Sequence, residues 1–336
     1  MNQKPSSSLP SHPTSPSGLP ASVQTEPQVN VVQLVPAARE RALVLGGGGS
    51  TGNAWLIGVI AGLFDSGVDT TQADLIIGTS AGSTAAAQIT GSNPAELYAA
   101  ILAATPPPRT APAAPIGGRG GVGAEASRAV LDHMDRTSRI IDAAANAADM
   151  RRRMGASALE MAAASDGSIQ TRWRATVATR LPSQDWPEQP VAITAVNAET
   201  GEPVVFDRHS GVDLVDAVAA SCASGFAYTI GSSRYIDGGY RSNAENADLA
   251  SGYARVLVLS PFGGRSRTPL DWGMHLATQL DELRAGGSRV ETVFPDSGSE
   301  HMFGAQAMDL SLRPPAARAG FEQGRHLAGR LSEFWR

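Results

Sequence analysis

Lysine is nearly absent from this sequence of 336 residues: Lys4 is the only one, and arginine supplies every other basic side chain. That bias reads as compositional and carries no functional meaning by itself. Cysteine is as scarce. With Cys222 alone, no disulfide can form within the chain, so a reducing compartment, the cytoplasm, is the expectation. No run of 18 apolar residues occurs, so the sequence predicts no membrane-spanning helix. The N-terminal segment lacks the apolar core of a standard secretion signal. A net charge of −5 gives no reason to expect nucleic acid as a partner.

What is present is a large apolar fraction, 42%, enough for one sizeable core. Residues 1–38 are rich in serine and proline and read as a disordered tail. From residue 39 to 336 the chain reads as a single domain. "RALVLGG" (41–47) is a short buried strand stopping at glycines, followed by a helix from Asn53 to Gly67 with Trp55, Val59 and Leu63 on one face. "ADLIIGTS" (73–80) is a second buried strand, and "AGSTAAAQITGS" (81–92) a helix of small residues. Strand, glycine turn and helix, twice within 50 residues, indicate a parallel α/β sheet.

Residues 105–165 read as a Pro/Gly-rich linker followed by a helical, lid-like segment, in which Val130, Met134 and Ile141 share a face. Beyond it, 191–209 forms a hairpin turning at "ETGE", 213–223 a helix, 234–243 a strand running into a turn, and 254–262 another buried strand. Residues 265–336 supply two amphipathic helices flanking a last strand at 288–295.

The chemistry concentrates at three glycine-rich turns. "GTSAG" (78–82) has the G-x-S-x-G form of a nucleophile elbow: Gly78 and Gly82 permit a tight strand-to-helix turn that lifts the Ser80 hydroxyl above the sheet. The helix that follows directs its positive dipole end at a developing anion. "GGGGSTG" (46–52) ends the neighbouring strand, so the backbone amides of Gly47, Gly48 and Gly49 are placed to hold an oxyanion, with Gly52 completing the turn. "RYIDGGY" puts Asp237 at a strand end, uncrowded beside Gly238 and Gly239; a carboxylate there can accept the serine proton if burial raises its basicity.

Each reading has a competitor. Residues 47–52 also spell the G-x-G-x-x-G of dinucleotide sites, but Gly78, Thr79 and Ser80 stand where a ribose-binding acid belongs, and no Gly-Lys-Ser/Thr follows; no nucleotide is expected. Among six histidines, His301 alone is positioned like the late histidine of a Ser–Asp–His triad. His133 and His275 lie in helical patterns and read as surface or packing residues. Cys222, in "AVAASCASG", reads as part of a small-residue helix end and not as a nucleophile. Asp-Gly-Gly is also ordinary turn chemistry.

With "GGGGSTG", "GTSAGS" and "DGGYRSN" in that order, and "VDAVAASCASG" leading to the last, the sequence resembles the patatin-like phospholipase family from about Arg41 to Phe262. The resemblance implies a three-layer α/β/α sandwich around a mainly parallel sheet, with a dyad of Ser80 as nucleophile and Asp237 as base. It places Gly47, Gly48 and Gly49 at the oxyanion hole and implies hydrolysis of carboxylic esters of lipids without cofactor or metal. The implied partner is a lipid or acyl-ester substrate, with contact to a membrane surface, for which Arg151, Arg152 and Arg153 beside Met150 and Met154 are candidates. A soluble esterase or thioesterase using the same dyad is the alternative; a non-enzymatic binding protein fits least. Two positions depart from the pattern. Thr51 stands where the glycine loop commonly carries Arg or Lys, and "GFAYTIGSSRY" replaces a proline-rich run.

Overall fold

The computed structural model describes residues 39–104, 122–163 and 168–336. The serine/proline-rich tail to residue 38, and the Pro/Gly-rich stretch up to residue 121, lie outside the described residues. Three strands alternate with helices in the order the glycine punctuation predicts: β1 (Arg41–Leu45), α1 (Gly49–Asp65), β2 (Leu75–Gly78), α2 (Ala81–Gly91), then β3 (Val191–Asn197). Between α2 and β3 come α3 (Pro94–Ala103), α4 (Val122–Ala143), α5 (Ala147–Ala163) and α6 (Ser168–Ala178). After β3 follow β4 (Pro203–Phe206), α7 (Leu214–Ser221), β5 (Tyr228–Ile230), β6 (Ser233–Asp237), β7 (Arg255–Leu259), α8 (Leu276–Ala285), β8 (Arg289–Val293) and α9 (Arg313–Trp335).

The eight strands form one sheet ordered β5-β6-β3-β2-β1-β7-β8, with β4 also on β3. The run β3-β2-β1-β7-β8 is parallel, and β4, β5 and β6 add antiparallel pairs. Period-2 alternation sorts its side chains into two layers. Leu43, Leu45, Ile76, Ile193 and Leu257 face a core shared with α1, α2, α7 and α9. Ala42, Val44, Leu75, Ile77, Val256 and Val258 face a second core closed by α8 and the 3₁₀ turn Ala247–Ala250. Both faces are covered, which is why these strands read as continuous apolar runs. Each fully buried Leu or Ile contributes roughly 1.5–3 kcal/mol.

The β3 register creates the geometry that matters. Ile193 pairs with both β2 and β4, and Ala195 and Val196 with both β4 and β6. A strand residue has one partner per edge, so β4 takes one edge of β3 while β2 and β6 share the other. Climbing that edge, β2 stops at Gly78 opposite Ile193; descending it, β6 stops at Asp237 opposite Ala195. Two chain ends converge within two residues of strand, about 7 Å.

Helix α9 lies against α1 at backbone distance. A Cβ on Gly58 would run into the Ala317 carbonyl, and one on Gly324 into the Val59 carbonyl; Gly62 and Gly320 are equally tight. Four glycines thus let two helices touch where side chains would hold them apart. Inside the crossing, the Trp55 indole N–H donates to Gln323 at 3.2 Å.

Three elements differ from the sequence reading. Helix α1 begins at Gly49, within the glycine loop, earlier than the Asn53 start: it has no side-chain cap, and the Thr51 N–H donates to the Ala307 carbonyl at 3.0 Å. The 270–287 helix is broken: a 3₁₀ turn at Leu270–Trp272 ends at Gly273, whose φ of 66° is left-handed, and α8 restarts at Leu276. The segment around "AYTI" contains the three-residue strand β5, too short for periodicity to reveal.

Candidate active site

The turn between β2 and α2 holds Ser80 at φ 52°, ψ −116°, one of two described non-glycine residues with positive φ. Such backbone costs on the order of 1–3 kcal/mol and persists only where surroundings over-determine it. Here they do. The Ser80 N–H donates to Ser221 Oγ at 2.9 Å, and its carbonyl accepts from Ser83 Oγ at 2.6 Å and Cys222 Sγ at 3.0 Å. The flanking glycines allow the approach: a Cβ on Gly78 would sit 2.6 Å from Ser83 Cα, and one on Gly82 would overlap the Leu45 carbonyl.

Across the gap, Asp237 is 7% exposed and its Oδ2 accepts the Ser80 hydroxyl at 2.8 Å. Its Oδ1 accepts the Gly239 N–H at 2.8 Å, fixing the rotamer. Burial pushes the carboxyl up to about 6, although both hydrogen bonds pull it down. Gly238 is obligatory beside it, since a Cβ there would collide with Thr194.

Buried Asn246 ties the two turns together, a role sequence reading missed. From a left-handed backbone (φ 55°), its Nδ2 reaches Thr79 Oγ1 and the Gly238 carbonyl, each at 3.0 Å. Thr79 and Thr194 hydroxyls bond one another at 2.9 Å underneath. The available signal was a cluster of polar residues, "SNAEN", directly after a strand end, too polar to be buried unless fully bonded.

The glycine loop lies beside Ser80: a Cβ on Gly47 would be 3.6 Å from Ser80 Cβ. Its amides are not equivalent, and one expectation needs correction. The Gly47 N–H donates to the Ala244 carbonyl at 2.8 Å, so Gly47 lines the site with its donor already committed. Among the described residues, the Gly48, Gly49 and Ala81 amides have no hydrogen-bond partner. Gly48 and Gly52 also let Pro261 settle on the loop; a Cβ on Gly48 would come 2.6 Å from Pro261 Cβ.

A second carboxylate stands behind this loop. Glu245 is 1% exposed, accepts the Ser260 hydroxyl at 2.6 Å, and burial pushes it up to about 7.

Other candidates are placed elsewhere. His301 is exposed on a 3₁₀ turn and bonds neither Ser80 nor Asp237. His133 Nε2 meets Ser224 Oγ at 3.0 Å and Tyr240 Oη at 3.1 Å, a packing role as expected; burial, helped by Arg136 and Arg267, lowers its pKa. Beside it, Ile140, Met154, Met161 and Ile236 line a narrow pocket between α4, α5 and β6. Desolvation pushes the half-buried Cys222 thiol up to about 11, disfavouring the thiolate. Of the arginine cluster, Arg151 is bonded to the Gly201 and Arg241 carbonyls, and Arg152 and Arg153 pair with Asp149. Arg151 is thus tied to the neighbouring loops, while Arg152 and Arg153 stay half-exposed. Among the described residues no helix is long and apolar enough to cross a membrane, and no cluster of side chains is arranged for a metal ion.

The profile of the patatin-like phospholipase family matches residues 43–248, more than half the chain. No curated protein matches the sequence. Among solved structures, the chain is similar to VipD from Legionella pneumophila at 13% identity and a TM-score of 0.37, covering 88% of this chain and 67% of VipD. It is also similar to the type III effector protein ExoU at 16% identity and a TM-score of 0.30, and to ExoU in complex with SpcU from Pseudomonas aeruginosa at 16% and 0.32. Both ExoU matches cover 85% of this chain, which spans about half of ExoU, 54% and 53%.

Proposed function

The chain belongs to the patatin-like phospholipase family, a family of lipid hydrolases, and on that premise we propose that it cleaves carboxylic esters of lipids through a Ser80 acyl-enzyme. The observation that carries this reading is the 2.8 Å hydrogen bond from a strained, elbow-held Ser80 to a buried carboxylate of raised basicity. The Ser80 oxygen attacks the ester carbonyl as its proton passes to Asp237; the carbonyl oxygen becomes an oxyanion. The unpartnered amides of Gly48 and Gly49, with Ala81 at the start of α2, receive that charge. The intermediate collapses, the leaving alcohol takes the proton, and the acyl group stays on Ser80. Water then gives a proton to Asp237 and attacks the acyl carbonyl, releasing the fatty acid and restoring Ser80.

An Asp pushed to about 6 is ionised at neutral pH and still far more basic than an exposed carboxylate, which suits a direct proton acceptor.

The test is hydrolysis of a medium-chain p-nitrophenyl ester and of phosphatidylcholine vesicles by wild type, Ser80→Ala, Asp237→Ala and His301→Ala, each checked for folding by circular dichroism. The first two variants are expected to be inactive and His301→Ala to match wild type. An inactive His301→Ala beside an active Asp237→Ala would overturn the dyad. Turnover of the small ester without the vesicles would turn the assignment to a soluble esterase.

A further inference from the structure

The family match ends at residue 248, yet a side chain 65 positions later reaches back to the glycine loop. Arg313 opens α9, ahead of Pro314 and Pro315, which suit a first helical turn. Its Nη1 donates to the Ser50 carbonyl at 2.8 Å and the Ser50 hydroxyl at 3.1 Å, and its Nη2 to Asn53 Oδ1 at 3.2 Å. All three acceptors are neutral, and among the described residues no carboxylate forms an ion pair with this guanidinium. The contrast with its helix is direct, because Arg325 and Arg330 of α9 pair with Asp65 and Glu291.

A partly buried cation without a counter-ion is costly to keep, and nothing in its immediate contacts neutralises it. Burial, with the Arg180 charge adding to it, lowers its pKa to about 10, so it remains charged at neutral pH. Its location gives the charge a use. Ser50 follows Gly49 directly, so the guanidinium grips the loop one residue from an unpartnered amide. Thr51, next to it, is uncharged and its buried hydroxyl has no partner. The close approach of α1 and α9, where glycines of each helix meet the backbone of the other, holds the two in register, with Gln323 bonded to Trp55 further along.

We propose that Arg313 is a positioning residue for ester hydrolysis: it locks the first turn of α1, and with it the glycine loop, through Ser50 and Asn53, and brings a positive charge to the residue next to the unpartnered Gly49 amide. This assignment rests on the Ser80 reading above. It gives the C-terminal helix a part in transition-state stabilisation, with the charge supplied from outside the loop. Because the interaction strengthens as negative charge develops, its loss should fall on kcat and leave KM nearly unchanged.

The test compares wild type with Arg313→Gln, Arg313→Lys, Arg313→Ala, Ser80→Ala and Arg330→Gln on a soluble p-nitrophenyl ester. For Arg313→Gln we expect kcat to fall roughly 10- to 100-fold, less than the loss typical of a direct oxyanion donor, with KM within about threefold. Arg313→Lys should recover part of the loss. Guanidinium ion at sub-denaturing concentration should restore Arg313→Ala several-fold and leave wild type unaffected. Arg330→Gln, which releases the same helix from Glu291, should lower melting temperature without lowering kcat. A kcat for Arg313→Gln within twofold of wild type overturns the assignment. So does a loss that neither lysine nor guanidinium relieves and that Arg330→Gln reproduces, which would make Arg313 a helix tether. Hydrolysis persisting in Ser80→Ala would overturn the nucleophile reading and this assignment together; hydrolysis lost in Ser80→Ala but intact in Arg313→Gln overturns only the latter.

Discussion

Two buried carboxylates near the glycine loop each hold a serine hydroxyl: Asp237 with Ser80 at 2.8 Å, and Glu245 with Ser260 at 2.6 Å. Both are pushed up towards neutrality by burial, to about 6 and about 7. By pairing and basicity alone they are the same motif. Everything around them differs. Ser80 is partly exposed, sits on a left-handed backbone and caps α2; Ser260 is 0% exposed at the end of β7, and its oxygen already accepts the Gly264 N–H at 2.9 Å. A nucleophile must present a free lone pair to something that can reach it. Ser260 meets neither condition, so its carboxylate partner serves to complete the polar contacts of a loop turn.

The largest effect separating the pairs should be on turnover. Ser80→Ala is expected to lower kcat roughly 10⁴-fold or more, as nucleophile removal does elsewhere, whereas Ser260→Ala should lower it less than tenfold while costing about 1–3 kcal/mol in denaturant unfolding, because Glu245 and the Gly264 amide lose their partner. Comparable inactivation of both by amino-acid change, with folding intact, would erase the distinction.

Next in size is the stability of the carboxylates themselves. Each holds its proton more tightly folded than unfolded, so its favourable contribution is complete below the unfolded value and is lost as pH rises through the folded one. For Asp237 that loss begins near pH 3.8, is nearly complete at about 6, and amounts to ~3 kcal/mol. Asp237→Asn should therefore be inactive yet melt higher than wild type at neutral pH. Glu245→Gln should likewise flatten the decline in melting temperature that wild type shows as pH rises through about 7, but retain hydrolysis. A Glu245→Gln variant as dead as Asp237→Asn would break the comparison.

The pH profile gives a finer cut. The log of kcat/KM should rise with pH and level off above about 6, following Asp237, with no second rise near 7 from Glu245. Smallest of all, Cys222→Ala should change kcat less than about threefold. Its thiol donates to the Ser80 carbonyl and meets the Ser83 and Thr84 hydroxyls, and at about 11 it is no competing nucleophile.

The sequence made one pair legible and hid the other for the same physical reason. Gly78, Ser80 and Gly82 leave a mark because a strained turn restricts residue types over five positions, and Asp237 leaves one because Gly238 cannot carry a Cβ against Thr194. The continuous apolar runs of β1 and β2 and the hairpin of β3 and β4 were readable because apolar runs and turn chemistry are local. Glu245 and Ser260, by contrast, meet only through the sheet, as do Ser221 with the Ser80 amide and Arg313 with Ser50, the last across 263 positions. No local pattern announces such bonds. The Gly47 amide was misassigned on the same account: three consecutive glycines look alike until the chain near Ala244 arrives and takes one of their donors.

The glycine-lined contact of α1 with α9 also sets an order of events. The residues spanned by the family match contain Ser80, Asp237 and the glycine loop, but α1 keeps an uncovered groove until α9 has been synthesised and docked. A ribosome-bound chain exposing only that span carries Ser80 and Asp237 beside a helix layer still open to water on one side. Contacts so distant in sequence form late, after the local turns and hairpins. Closure of the layer over α1 thus waits for α9, after both Ser80 and Asp237 have emerged.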